Sequence, residues 1–217
     1  MIKAILFDMN GIIIDDENIH EMAFRETLRP YNINFNHQTY LDCCSGKTDR
    51  AGYEEIAAKF STNLPIDDLL SQKGKMYLKL FPANKKSYFG IIELIHSLSG
   101  SYKLALTSSS SREEVNLITK EFGISNEFEV IISGDDVHKG KPDPEPYLIT
   151  ANKLGFEPKE CVAIEDSPSG ITSAKAAGCY CIAVTTTHTK KDLAAADLVV
   201  NDSSEITTQI IQNINST

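Results

Sequence analysis

From Lys103 to Val200 the chain repeats one unit: a short apolar run, a polar turn and an amphipathic helix. Strands are expected at Lys103–Leu106, Glu129–Ile132, Cys161–Ile164, Cys179–Val184 and Asp197–Val200. The intervening helices are expected at Ser111–Phe122, Glu145–Leu154 and Ser169–Ala177, each followed directly by a glycine (Gly123, Gly155, Gly178). Glycine there supplies the left-handed residue that stops a helix. A last helix is expected near Ser204–Asn213, and Met1–Phe7 adds one more strand. Strands alternating with helices of this length imply a parallel sheet with right-handed crossovers, a doubly wound, Rossmann-like α/β fold.

The pattern breaks between residues 15 and 86. Glu17–Arg29, Thr48–Phe60 and Ile66–Phe81 all read as amphipathic helices, with no strand between them. Residues 1–14 and 87–217 are therefore expected to form the α/β core, and residues 15–86 an inserted helical cap. Ligands of such sheets bind beyond the carboxyl ends of the strands, where an inserted lobe would exclude water.

The bulk properties exclude several functions. A formal charge of −9 with no basic cluster argues against nucleic-acid binding. No apolar run approaches the roughly 20 residues that span a bilayer, and the N-terminus reads as a strand rather than a signal peptide. The five cysteines (Cys43, Cys44, Cys161, Cys179, Cys181) show no zinc spacing and are expected to be buried reduced thiols in a cytoplasmic protein.

Chemistry-bearing residues fall at strand ends. Asp8 closes the apolar run KAILFD, Ser108 follows the second strand, Lys141 lies in GKPDPEP, and Glu165–Asp166 follow the run at Cys161. In a parallel sheet those ends share one edge. Asp8 and Asp166, hard oxygen donors with no His or thiolate beside them, suit Mg²⁺. The cation and Lys141 would keep Asp8 ionised and attract a phosphate. Ser108 can donate to a phosphoryl oxygen. No P-loop, dinucleotide fingerprint, GxSxG elbow or zinc motif is present.

Taken together, FDMNGIIIDDE, LTSSSS, KGKPDPEPY and IEDSPSGITSAKAAG resemble the haloacid-dehalogenase-like superfamily, within it the β-phosphoglucomutase-like phosphatases and phosphomutases. The resemblance covers essentially the whole chain. It implies that Asp8 is a nucleophile forming an aspartyl-phosphate, that Ser108 and Lys141 hold and neutralise the phosphoryl group, and that Asp8, Asp166, Glu165 and the Asn10 backbone carbonyl hold Mg²⁺. It further points to His20, Gly46, Lys47, Thr48 and Lys73 in the cap, with Ser109, as facing a small phosphorylated metabolite. Plainer readings stand beside these. Ser109, Ser110 and Ser111 suit helix capping, His20 could pack the cap, Lys47 and Lys73 could be surface lysines, and His188 reads as a loop residue.

Most members of that family with phosphate-ester substrates carry aspartate where this chain has Asn10. That aspartate protonates the leaving oxygen, and an amide cannot shuttle a proton at neutral pH. The loss is worth roughly 10²–10⁴-fold, about 3–5 kcal/mol of barrier. The substitution is open to three explanations: an engineered change, a divergent natural site, or an Asn10–Gly11 pair that deamidates after synthesis. The resulting expectation is a Mg²⁺-dependent phosphatase impaired at residue 10. Asp49 stands near where the mutases place a basic residue, which favours hydrolysis over a sugar phosphomutase. A phospho-ligand-binding protein of reduced activity is the reading from another class.

Overall fold

A computed structural model describes residues 1–45 and 47–214. The chain divides into two compact units, Met1–Asp15 with Lys86–Thr217, and Asp16–Lys85.

The larger unit is built on six parallel strands: β1 (Ala4–Phe7), β2 (Lys103–Thr107), β3 (Val130–Ile132), β4 (Cys161–Glu165), β5 (Tyr180–Val184) and β6 (Leu198–Val200). Their order is β3-β2-β1-β4-β5-β6. The order reverses between β1 and β4, so a crevice opens at the carboxyl ends of those two strands. Register pairs Phe7 with Leu106 on one side and with Ile164 on the other. Asp8 is therefore brought level with Thr107 and Glu165.

β1 is buried along its whole length, as expected of a strand covered on both faces. On one face Ala4, Leu6, Ala105, Cys161, Ala163, Cys181 and Ala183 pack with Tyr147, Ala151, Ile171 and Ala174. These small strand residues let helices α7 (Glu145–Leu154) and α8 (Pro168–Ala177) approach the sheet closely. Helix α6 (Arg112–Glu121) begins with a capping box in which Ser111 and Glu114 satisfy each other's backbone N–H. Gly123, Gly155 and Gly178 all have positive φ, as their helix-stop positions require.

The cap unit contains α1 (Glu17–Leu28), α2 (His37–Cys43), α3 (Asp49–Lys59) and α4 (Ile66–Asn84). Its core is Phe24, Leu28, Phe35, Tyr40, Tyr53, Ile56 and Leu69, with the Phe24 and Tyr53 rings 4.6 Å apart. No strand lies among the described residues of this unit.

Two helices were not foreseen. α2 has only seven residues and depends on Asn36, whose side chain accepts from Thr39 N. α5 (Ile91–Ser99) lies in the larger unit and starts from Gly90, a left-handed residue with no side-chain cap. Some boundaries also shift. α4 runs past Phe81 through Pro82, β3 begins at Val130, and the last helix, α9, is Thr208–Ile214 after a short 3₁₀ turn at Ser203–Glu205. All five cysteines are buried and free. No helix among the described residues is long and apolar enough to cross a membrane.

Candidate active site

The residue after β1 and the two acidic residues at the end of β4 meet at the switch point. One oxygen from each of Asp8, Glu165 and Asp166 lies within 4.8 Å of the other two, and all three residues are buried. Lys141 enters from the loop before α7. Its Nζ donates to Asp8 Oδ1 (2.8 Å), Glu165 Oε1 (2.7 Å) and the Thr107 carbonyl (3.0 Å). Two of the three carboxylates, Asp8 and Glu165, thus share one ammonium.

Two glycines make room for two of these carboxylates. Gly11 has φ +78°, and a Cβ there would lie 1.9 Å from Asp166 Oδ2. A Cβ on Gly170, in the first turn of α8, would lie 2.0 Å from the Glu165 carboxylate. Only glycine lets backbone approach these groups so closely.

Glu165 is fully buried and heavily committed. Its Oε1 accepts from Lys141 and from the Tyr147 hydroxyl (2.6 Å), and its Oε2 from Asp166 N (3.2 Å) and Ser167 Oγ (3.4 Å). Its Oε1 thus anchors Lys141 through short bonds, while the bonds to Oε2 are longer. Tyr147 also presents its ring 5.2 Å from the Lys141 ammonium.

Burial dominates the electrostatics. It pushes the Asp8 carboxyl up to about 8; Lys141 opposes this, and the neighbouring Glu165 and Asp166 charges add to it. Burial and Glu165 likewise push Asp166 up to about 7, against the Thr187 hydroxyl. Burial would lower Lys141, but Asp8 and Glu165 hold it above its ordinary value, so it stays cationic. An excess of buried carboxylate charge, carried by hard oxygen donors, is the environment that a divalent cation such as Mg²⁺ relieves.

Ser108 and Asn10 stand beside this cluster. Ser108 is buried at the end of β2, and its hydroxyl accepts from Ser110 N (3.1 Å). Ser110 donates to Asn10 Oδ1 (2.9 Å), so of the three serines expected as caps only Ser111 caps a helix. Ser110 instead orients residue 10, and Ser109 is exposed.

In the cap unit the structure joins His20 to Lys73 but not to Lys47 or Thr48. Lys73, only 1% exposed, places Nζ 2.7 Å from His20 Nδ1 and from both Asp49 oxygens. It is not a surface lysine. Its ammonium donates to Nδ1, so the other imidazole nitrogen carries the proton and meets Asp16 Oδ2 at 3.2 Å. Tyr77 stacks on His20 and donates to Asp16 Oδ2 (2.6 Å). Lys47 is tied to Glu55 and the Asp42 carbonyl. Thr48 caps α3. Gly46 lies outside the described residues.

Sequence reasoning passed over Tyr147, Thr186 and Thr187, placed Ser110 only as a helix cap and placed His188 only as a loop residue. Thr186 donates to the Gly11 carbonyl (2.5 Å), Thr187 donates to Asp166 Oδ2, and His188 Nδ1 lies 3.1 Å from the Asp166 carbonyl. The run TTTH after β5 was the available signal, since β5 adjoins β4 and ends on the same sheet edge.

The acidic cluster with Lys141 at the switch point of a parallel α/β sheet is the candidate active site. The family model of the haloacid dehalogenase-like hydrolases matches residues 5–184, and this chain belongs to that family. Validoxylamine A 7'-phosphate phosphatase of Streptomyces hygroscopicus subsp. limoneus is 31% identical over 95% of this chain and 96% of its own. Beta-phosphoglucomutase of Bacillus subtilis is 29% identical over 96% and 93%. Among solved structures, an aspartate-to-asparagine mutant of CbbY from Rhodobacter sphaeroides in complex with xylulose-(1,5)bisphosphate superposes with a TM-score of 0.81. It is 28% identical and covers 93% of this chain and 95% of that one.

Proposed function

We propose that the chain is a Mg²⁺-dependent phosphatase of small phosphorylated metabolites, acting through an aspartyl-phosphate on Asp8. The observation that carries this reading is the Asp8–Lys141–Glu165 bridge at the switch point with Asp166 beside it. Asp8, Asp166, the Asn10 carbonyl and Glu165 Oε2 are the groups that would hold Mg²⁺, which supplies charge neutralisation and phosphate orientation when bound. The five buried free thiols fit a reducing compartment such as the cytoplasm.

Lys141 fixes Asp8 Oδ1, which leaves Oδ2 to attack phosphorus. The new O–P bond forms as the ester P–O bond breaks, and the electron pair leaves on the ester oxygen. The Ser108 hydroxyl donates to a phosphoryl oxygen, and Lys141 offsets the charge gathering near Asp8. Asn10 cannot hand the leaving oxygen a proton, so that proton comes from water. Water then attacks the aspartyl-phosphate, returning Asp8 and releasing phosphate.

Phosphomutase activity is the runner-up, on the likeness to beta-phosphoglucomutase. Against it, Asp49 is acidic and engages Lys73, and the neighbouring Arg50 pairs with Asp67. The cap cluster of His20 and Lys73 is put forward as a substrate-selecting element, with Ser109, Lys47 and Thr48 as weaker candidates. Phosphate release with Mg²⁺ from a panel of phosphorylated metabolites, measured for this chain and for Asn10→Asp, tests the proposal. Release by either supports hydrolysis. Isomerised sugar phosphate without release supports the mutase, and inactivity of both points to a binding protein.

A further inference from the structure

The loop after β5 reaches the acidic cluster at a point that no motif marks. Val184 ends β5, and the next residues turn over the carboxyl end of β4. Thr186 ties down the Gly11 carbonyl (2.5 Å). Thr187 sets its hydroxyl on Asp166 Oδ2, with the Asp166 backbone carbonyl at 3.3 Å as a second acceptor. His188 Nδ1 lies 2.8 Å from Thr187 Oγ1 and 3.1 Å from the Asp166 carbonyl. A hydroxyl has one proton. If it goes to Asp166 Oδ2, Thr187 Oγ1 can only accept from His188, whose single Nδ1 proton is shared between Thr187 and the Asp166 carbonyl. The oxygen that Thr187 grips is also the one that would meet a Cβ on Gly11. Asp166 Oδ2 is thus held between a hydroxyl on one side and the glycine turn on the other, and the same loop pins that turn through Thr186.

We propose that Thr187 is a positioning residue for Asp166. Its hydroxyl, backed by His188 Nδ1, fixes the carboxylate in the pose that places one of its oxygens within 4.8 Å of those of Asp8 and Glu165. Asp166 is buried, and among the described contacts Thr187 is the side chain that donates to its carboxylate. Thr187 itself is exposed, so replacing it disturbs no packed core. The consequence for metal binding rests on the reading of this cluster as a Mg²⁺ site.

Thr187→Val keeps the shape and deletes the donor, whereas Thr187→Ser keeps the donor. The parent chain and both variants are titrated with Mn²⁺ followed by electron paramagnetic resonance, with Mg²⁺ as competitor. Loss of a partner that orients a metal ligand weakens metal binding by roughly 10–100-fold. That loss is expected for Thr187→Val, with binding retained in Thr187→Ser. Parent-like binding by Thr187→Val overturns the proposal. Absence of binding by the parent overturns the metal reading instead. The clamp is then decided by metal-free crystal structures of the parent and Thr187→Val, in which the Asp166 carboxylate is expected to turn away from Gly11 in the variant. An unchanged pose contradicts it.

Discussion

Ser110 donates its hydroxyl proton to Asn10 Oδ1 across 2.9 Å, joining the turn after β1 to the turn after β2. The same geometry would hold a carboxylate at position 10, because a carboxylate oxygen accepts as the amide oxygen does. Residue 10 is therefore oriented by its neighbours whether or not it can carry a proton.

Asn10→Asp should raise turnover of alkyl phosphates by roughly 10²–10⁴-fold, the usual worth of general acid–base help. Aryl and acyl phosphates, whose leaving groups need little protonation, should gain far less at the phosphorylation step. Steady-state phosphate release for both substrate classes checks this. Equal gains for the two would place the acid–base function elsewhere.

The electrostatics set a pH dependence of stability in metal-free protein. Asp8 and Asp166 both have an ordinary value of 3.8 and rise in the fold to about 8 and about 7. Over that window the unfolded chain has released protons that the folded protein keeps. The folded state then binds more protons, so stability falls as pH rises from about 4 to about 8. A bound cation favours the ionised carboxylates and should stabilise more at pH 8 than at pH 5. Thermal unfolding with chelator or Mg²⁺ reads both effects, and Asp8→Asn should flatten the chelator profile. A metal-free stability that climbs across this range would contradict the assignment.

Lys141 is the one cation bonded to both Asp8 and Glu165 among the described contacts. Lys141→Met should lower phosphate release by roughly 10²–10³-fold, as removal of a preorganised electrostatic group does. It should also destabilise the protein more at pH 8 than at pH 5, because at the lower pH the stranded carboxylates can take protons. Urea unfolding at the two pH values separates this from simple loss of packing, which would cost the same at both.

Sequence periodicity revealed most of the sheet because buried parallel strands read as short apolar runs bounded by glycine-stopped helices. It also revealed the polar residues at strand ends, since topology alone brings Asp8, Ser108 and Glu165–Asp166 to one edge. What it could not reveal depends on side-chain direction. Tyr147 looks like any core aromatic until its hydroxyl is seen on Glu165. Ser110 and Ser111 are adjacent and chemically identical, yet one orients Asn10 and the other caps α6. Lys73 carries no sign of burial in the sequence, and only the packing of α1 and α3 against α4 makes it a partner of His20 and Asp49. α2 was hidden by its length, and α5 by a start without a capping side chain.

The central claim, that Asp8 becomes phosphorylated, is most directly tested by peptide mass spectrometry after incubation with acetyl phosphate and Mg²⁺ and an acid quench. The account predicts one added phosphoryl group on the peptide containing Asp8, accumulating because Asn10 slows its hydrolysis, and none in Asp8→Asn. Phosphate release that continues undiminished in Asp8→Asn, with no phosphoryl group on Asp8 in the parent chain, would contradict it.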